Sequence, residues 1–244
     1  MRHRWVFAGV TIALLGALAT GAPAATGAPQ RAAAVRPAFG VDPGDFVRYV
    51  TNPFLPFKPG TELVYRGVKD GEGITDRVRV LSRTKTILGV KATVVRDVSR
   101  HGSQLIERTE DWYAQDRRGN VWYFGEDTEE FLPGGRVSRE GSWQAGVHGA
   151  VPGIVMEANP HAPDGYRQEL YRGHAEDTAW VLRRGGSIDV PLGTLHHVLL
   201  TLEWTRLEPN VIDRKYYAKG FGIVREASAT GPLETSELVS VHRP

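Results

Sequence analysis

The side chains with the greatest chemical potential surround one predicted hairpin loop, Asp116–Asn120. Two acids and three aromatic residues flank it, namely Glu110, Trp112, Trp122, Phe124 and Glu126. If Gln115 pairs with Val121, the two acids lie opposite each other, and in the same register the first tryptophan lies opposite the phenylalanine. Charge repulsion beside an apolar wall would raise the pKa of one acid, which suits general acid catalysis or the binding of a cation or a sugar hydroxyl. The alternative is that the aromatic pairs only stabilise the hairpin.

A second candidate segment runs from Tyr166 to Asp177. In an extended conformation Glu169 lies on one face, and His174 follows the break at Gly173. A histidine close to carboxylates could bind a divalent metal, but the spacing matches no helical metal-binding motif. The sequence therefore predicts no metal site. Tyr166, Glu169 and His174 are candidates for ligand binding or catalysis, and the alternative is a hydrogen-bonded turn.

Glu203 and Lys215 are predicted to form a structural ion pair. The turn Glu208-Pro209-Asn210 lies between their strands, so the two side chains can meet across the hairpin. Tyr216 and Tyr217 would cover the pair.

Several classes of function lack their sequence signals. The chain has no Gly-x-Ser-x-Gly nucleophile elbow, no P-loop and no dinucleotide-binding fingerprint, so no cofactor is predicted. It has no cysteine, which removes disulfides, thiolate nucleophiles and Cys-based zinc sites. The 30 basic and 28 acidic side chains nearly balance, so no nucleic-acid partner is predicted.

The N-terminal residues have the pattern of a secretory signal peptide. Arg2 and Arg4 form a basic start, Val6–Ala19 carries no charge, and Ala22-Pro23-Ala24 provides a cleavage site. The apolar run is shorter than the ~20 residues that a membrane-spanning helix needs, so no integral span is predicted. We expect cleavage after Ala24 and a secreted, extracellular protein, either released or held at the cell envelope.

The remaining sequence predicts one β domain over residues 41–244, preceded by a disordered Ala-, Pro- and Gly-rich lead-in over 25–40. Short β-rich runs separated by Gly, Asp, Asn and Pro indicate an antiparallel meander that closes into a barrel or a curved half-barrel. One short N-terminal helix is predicted over Asp42–Val50, and a long loop over Gln144–Gly165. Leu105–Tyr113 has polar and aromatic residues on both faces, which is typical of a barrel with a partly polar, aromatic-lined cavity.

The chain resembles a family of uncharacterised exported bacterial proteins. The resemblance covers most of the chain after the signal sequence and lies in residues 52–61, 110–115, 119–128, 141–160, 166–177, 215–218 and 220–226. Residues 217–224 also resemble the last hairpin of lipoprotein-carrier-like half-barrels. The first resemblance implies export without an activity, and the second favours binding over catalysis.

These observations predict an exported barrel-like protein that binds a small or lipid-like ligand in an aromatic-lined cavity. The predicted ligand-binding residues are Trp112, Trp122, Phe124, Tyr166 and Glu169, with Glu110, Glu126 and His174 as further polar anchors. The loop over residues 144–165 would cover the mouth of the cavity. A first alternative is a carboxylate-based hydrolase, isomerase or cyclase that uses Glu110, Glu126 and His174. A second is a structural or interaction protein of the cell envelope.

Overall fold

The computed structural model describes residues 40–69 and 71–244, and the predicted signal peptide and nearly all of the lead-in lie outside them. Within these ranges the protein is almost entirely β-structure, with two short 3-10 turns at Pro43–Asp45 and Pro133–Gly135 and no α-helix. No helix in the described part of the chain is long and apolar enough to cross a bilayer.

Eighteen strands are present in the described residues, and every pairing between them is antiparallel. In chain order they are β1 (Phe46–Val47), β2 (Glu62–Lys69), β3 (Glu72–Ile87), β4 (Val90–His101), β5 (Gln104–Asp116), β6 (Val121–Leu132), β7 (Arg136–Ser138), β8 (Trp143–Gln144), β9 (Val151–Met156), β10 (Gly165–Arg167), β11 (Glu169–Leu170), β12 (Asp177–Arg184), β13 (Ser187–Val190), β14 (Gly193–His196), β15 (Leu199–Thr205), β16 (Ile212–Ala218), β17 (Gly222–Thr230) and β18 (Thr235–His242). Strands β13 and β14 form a separate hairpin, and the others form one sheet.

The main sheet is nearly closed into a barrel. Its strand order is β10-β12-β15-β16-β17-β18-β2-β3-β4-β5-β6-β9-β11. The two terminal strands of this order are consecutive in the sequence, because only Gln168 separates β10 from β11. One continuous segment, Gly165–Leu170, therefore pairs with β12 at one edge and with β9 at the other. The predicted antiparallel, barrel-like sheet is thus confirmed.

The predicted N-terminal helix over Asp42–Val50 is wrong. Only Pro43–Asp45 turns, with the Asp42 carboxylate accepting a hydrogen bond from the Gly44 N–H at 2.8 Å. The following β1 pairs with the end of β5 instead of continuing the turn. A nine-residue helix has little stability of its own, and the β-prone residues of β1 gain more from pairing with the sheet.

The predicted long loop over Gln144–Gly165 is also interrupted by structure. Strand β9 lies within it and pairs with both β6 and β11. The segment therefore supplies a wall of the barrel, and β9 itself contains Pro152 and Gly153.

One end of the barrel is covered by the segment Asn52–Gly60, which we call the plug. The Asn52 side chain donates hydrogen bonds to the carbonyls of Gly119 (2.9 Å) and Glu157 (3.0 Å). The Pro53 carbonyl accepts one from the Gly220 N–H at 2.8 Å. These partners belong to the β5–β6 turn, the end of β9 and the β16–β17 turn, so the plug joins elements around one rim.

Gly153 on β9 lies directly against the segment that closes the barrel. A Cβ atom there would lie 2.5 Å from the backbone of Arg167 and Gln168, whereas a Cβ at Gly73 on β3 would meet nothing within 4 Å. We expect Gly153→Ala to lower the free energy of unfolding by about 2–4 kcal/mol, because backbone must move at the closure. Gly73→Ala should change it by less than about 1 kcal/mol. Chemical denaturation of both variants tests this, and equal effects would contradict the closure described above.

Candidate functional site

The protein buries many acids and very few bases. Among the described residues, ten acidic side chains are buried, and Lys215 is the only buried lysine or arginine. The acids are Asp76, Asp97, Glu107, Asp111, Asp116, Glu126, Glu169, Glu203, Glu226 and Glu234. Buried carboxyl groups are costly unless they are paired, hydrogen-bonded or protonated, so their surroundings are the main question about this molecule.

Most of these acids face the inside of the barrel. Tyr65 on β2 donates a hydrogen bond to the carbonyl of Ile223 on β17 at 2.8 Å, although β18 lies between the two strands. The charge of Glu226 on β17 raises the pKa of Asp97 on β4, again with several strands between them in the sheet. Both interactions bypass the intervening strands on the inner face, and the one between β4 and β17 bypasses three strands.

Lys215 neutralises one part of the interior. Its Nζ lies 3.1 Å from Glu203 Oε2 and 3.6 Å from Glu226 Oε1, which confirms the predicted cross-strand ion pair with Glu203. Glu203 also accepts hydrogen bonds from Gln168 (3.0 Å) and Tyr217 (2.8 Å).

The pKa values around Lys215 follow from these contacts. Burial alone would lower the pKa of Lys215, but Glu203 and Glu226 raise it. Burial would likewise raise the pKa of Glu203, yet Lys215 and the hydrogen bonds hold it below its usual range. Glu226 has the more distant ion-pair contact, and its burial raises its pKa to about 8 despite Lys215. Lys215 and Glu203 therefore stay charged as a pair.

A second group of buried acids consists of Asp111, Glu126 and Glu169. Asp111 accepts a hydrogen bond from the Tyr123 hydroxyl at 2.7 Å, and Glu126 accepts one from Thr128 at 2.9 Å. Glu169 is fully buried, and neither of its carboxylate oxygens has a partner in hydrogen-bonding geometry. We call this group, together with Tyr123 and Trp143, the interior acid cluster.

The cluster favours neutral acids. Burial raises the pKa of Asp111 to about 7, against the opposing hydrogen bond from Tyr123. Burial raises the pKa of Glu169 well above its usual range, and the charge of Asp177 adds to this. The indole N–H of Trp143 and the charge of Lys215 oppose that rise, although the indole has no partner in hydrogen-bonding geometry.

A β-bulge at Gly125 determines which acids enter the cluster. The predicted pairs Gln115–Val121 and Tyr113–Tyr123 are confirmed, but β6 then has one residue more than β5. Gly125 has a φ of 122°, and a Cβ there would lie 2.2 Å from the Trp143 carbonyl, so a glycine is needed. The bulge returns Glu126 to the inner face.

The predicted pairing of Glu110 with Glu126 is therefore wrong, as is that of Trp112 with Phe124. Glu126 lies opposite Asp111, and Glu110 lies opposite Asp127. Strand alternation places Glu110 on the outer face, where it binds the guanidinium groups of Arg83 and Arg96. Partial burial would raise the pKa of Glu110, but these arginines hold it below its usual range.

The predicted aromatic residues divide between the two faces of the sheet. Trp112, Trp122 and Phe124 lie on the outer face, opposite Tyr113 and Tyr123 on the inner one. The Nζ of Lys85 lies 3.2 Å from the centre of the Trp112 ring. Phe46 packs edge-on against Trp122 and Phe124, with ring centres 6.0 and 5.6 Å apart.

An outer cavity of about 330 Å³ lies beside Trp122. It is lined by the N-terminal residues Gly40–Asp42, Asp45 and Phe46, by the β5–β6 turn and by Ile154. The carboxylate of Asp116 in this lining already accepts hydrogen bonds from Arg118, Asn120 and Trp122. This cavity is separate from the interior acid cluster.

The two remaining predicted residues differ in position. Tyr166 on β10 is buried, and its hydroxyl has no hydrogen-bond partner. His174 lies exposed in the turn between β11 and β12, where its ring stacks on Tyr171 with centres 4.2 Å apart. No group of three or more His, Asp or Glu side chains that could hold a metal ion occurs in the described residues. The three residues nominated for catalysis, Glu110, Glu126 and His174, are thus divided between the outer face, the interior and an exposed turn.

Sequence reasoning missed Asp111, Tyr123 and Trp143. The alternating acids and hydroxyls of β5 were a usable signal, because Glu107, Thr109 and Asp111 share one face. Trp143 joins the cluster only through the short pairing of β8 with Glu126, for which the sequence has no marker.

No protein-family model matches the chain, and no curated protein matches it significantly. Two solved structures match part of this chain in a structural superposition. A candidate exported protein of YmcC-like fold from Bacteroides fragilis NCTC 9343 is 15% identical, with a TM-score of 0.44 over 78% of this chain and 99% of that one. A candidate lipoprotein from Parabacteroides distasonis ATCC 8503 is 13% identical, with a TM-score of 0.43 over 78% of this chain and 98% of that one. Both are the kind of protein that the sequence resembles, and at this level the likeness carries no argument about function.

The buried acids predict how stability depends on pH. Acids whose pKa is raised by folding bind more protons in the folded state, so the free energy of unfolding should fall as pH rises from about 5 to about 9. Asp111, with a pKa of about 7, accounts for about 3 kcal/mol of this fall, because about two pH units of the window lie below that pKa. In Asp111→Asn the fall should be smaller. Glu110→Gln should keep the full fall, because that carboxyl titrates below this window. Denaturation at several pH values checks this, and an unchanged slope in Asp111→Asn would contradict it.

The Lys215 ion pair predicts a second stability effect. We expect Lys215→Met to lower the free energy of unfolding by about 3–5 kcal/mol, because Glu203 and Glu226 would remain buried without a cation. Arg139→Met, which removes an exposed pair with Asp127 and Glu129, should cost less than about 1 kcal/mol. Chemical denaturation of both variants tests this prediction. Comparable losses of stability would show that Lys215 does not stabilise the buried carboxylates of Glu203 and Glu226.

Proposed function

We propose that the protein binds a small polar ligand inside its barrel, with Glu169 and Asp111 as polar anchors. The observation that supports this most is Glu169, a fully buried carboxyl group with no hydrogen-bond partner on either oxygen. Leaving such a group unsatisfied costs on the order of 1–3 kcal/mol or more. Proteins keep groups of this kind mainly where function, an ion or ordered water accounts for them.

The neighbours of Glu169 strengthen the proposal. Oδ2 of Asp111 and Nε1 of Trp143 are also buried and lack a partner in hydrogen-bonding geometry, although the indole N–H lies close enough to Glu169 to lower its pKa. The cluster thus combines acceptors and donors with aromatic walls, since Tyr123 packs edge-on against Trp143 at 5.4 Å. A few converging polar groups among aromatic side chains are typical of ligand sites.

The acid-rich interior favours a polar ligand over a lipid-like one. A lipid chain would leave the same carboxyl groups unsatisfied, whereas a ligand with polar groups can exchange hydrogen bonds with them. Because the N-terminal sequence predicts export, we expect the ligand to be one that the protein meets outside the cytoplasm.

Native mass spectrometry of the protein isolated from the organism that makes it tests this proposal. We expect a native mass above the polypeptide mass, with the excess lost on denaturation. In Glu169→Gln, folded as judged by circular dichroism, the excess should fall at least tenfold, because the amide cannot reproduce the hydrogen bonds of the carboxyl group. Glu110→Gln on the outer face is the matched control and should keep it. A native mass equal to the polypeptide mass, or full retention in Glu169→Gln, would contradict the proposal.

A further inference from the structure

We propose that the ligand inside the barrel is an organic ammonium ion, held by the carboxylates of Glu169, Asp111 and Asp97. This inference rests on the proposed function, because it assigns the chemical class of the ligand for the same interior site. Two features of the interior support it, namely the buried acid oxygens that lack partners and the position of the buried positive charge.

The partnerless atoms around Glu169 are chiefly acceptors when the acids are ionised. Both oxygens of Glu169, Oδ2 of Asp111 and Oδ1 of Asp97 have no hydrogen-bond partner. These three side chains are at least nine-tenths buried, so solvent does not replace the missing donors. A ligand that satisfies them must be rich in N–H or O–H donors, and an ammonium group offers up to three on one atom.

The one buried positive charge among the described residues lies in direct contact with other acids, although it also lowers the pKa of Asp111 and Glu169. Lys215 is the only buried lysine or arginine of the described residues, and its contacts at 3.1 and 3.6 Å are with Glu203 and Glu226. A buried carboxylate without a cation is unfavourable, so the remaining acids need either protons or a positively charged ligand.

The geometry favours an organic cation over a metal ion. A metal needs several oxygen ligands within about 2.0–2.6 Å of one point. No three His, Asp or Glu side chains among residues 40–69 and 71–244 converge in this way. An organic ammonium ion is larger and contacts its acceptors at hydrogen-bond distance, about 2.7–2.9 Å from each oxygen. Binding it therefore does not require three carboxylate oxygens to converge within metal-ligand distance of one point.

The aromatic residues of the cluster add a second attraction for a cation. Tyr123 stacks on Tyr113 with ring centres 4.9 Å apart and meets Trp143 edge-on. The indole of Trp143 faces Glu169. Tryptophan and tyrosine rings attract ammonium groups through their π faces, most strongly where water is excluded.

Protons compete with the cation for these acids. Burial raises the pKa of Glu169, Asp111 and Asp97, so binding a cation must release protons, and affinity should rise as pH rises through about 7. The charges that act on these acids are those of Asp76, Glu107, Asp177, Lys215 and Glu226, together with that of Glu110 from the outer face of the sheet. The Tyr123 hydroxyl donates a hydrogen bond to Asp111, and the Trp143 indole N–H lies close to Glu169.

Calorimetric titration with matched small probes tests the class of ligand. The purified full chain is titrated with n-butylammonium and 1,4-diaminobutane, and with n-butanol and butyrate as the neutral and anionic counterparts. We expect the amines to bind at least tenfold more tightly than n-butanol, and more tightly at about pH 8.5 than at about pH 5.5. Titration near pH 7 in two buffers of different ionisation enthalpy should show protons released on binding.

The variants separate this inference from the proposed function. Glu169→Gln should abolish amine binding and proton release, whereas Glu110→Gln should leave both unchanged. Binding of n-butanol or butyrate as tight as that of the amines, absence of amine binding, or full binding by Glu169→Gln would overturn the ammonium assignment. If the isolated protein still carries a neutral or anionic ligand that Glu169→Gln loses, the proposed function stands and the ammonium assignment fails. If no ligand mass and no amine binding are found, both fail.

Discussion

A sheet that closes on itself turns every second residue of each strand inward, and here many of those residues are acids. The closure through Gly165–Leu170 removes the open edges of the sheet, but it also takes the inner face away from water. Each inward carboxyl group must then find a cation, a donor or a proton. The interior meets this requirement in a different way for each group of acids.

The partner that stabilises a buried acid differs from one part of the interior to another. Around Lys215, an ion pair and the donors Gln168 and Tyr217 keep Glu203 ionised in a buried environment. Glu126 instead accepts a hydrogen bond from a threonine hydroxyl, which suits either protonation state. Neither oxygen of Glu169 has a partner in hydrogen-bonding geometry. The contrast between Glu203 and Glu169, both buried acids in one barrel, is what makes the second a candidate for function.

The sequence was sufficient for the strands and for much of the pairing. Alternating β-prone runs and Gly-rich turns predict the meander, and the β5–β6 hairpin has the predicted register near its turn. The Glu203–Lys215 pair could be predicted because a short turn fixes which residues face each other. These successes concern local pairings, where few residues determine the geometry.

The candidate site could be predicted only in part, because it depends on long-range contacts. Glu126 and Glu169 were predicted, but the assignment of Glu110 failed at one extra residue, Gly125, that shifts the register. A glycine inside a strand is compatible with a bulge. The sequence does not show, however, that the Trp143 carbonyl lies where a Cβ atom of residue 125 would be. The helix prediction over Asp42–Val50 failed for a related reason, since pairing with β5 overrides a weak local preference.

The pairing of β18 with β2 has a consequence for how the chain is made. The barrel joins residues 235–242 to residues 62–69, so the sheet cannot be completed until nearly the whole sequence has left the ribosome. Until then β2 and β17 each have an edge that can pair with other chains, which is a route to aggregation. The native sheet must therefore form after synthesis and not during it. Such a chain depends on being kept apart from its copies for as long as its translation lasts.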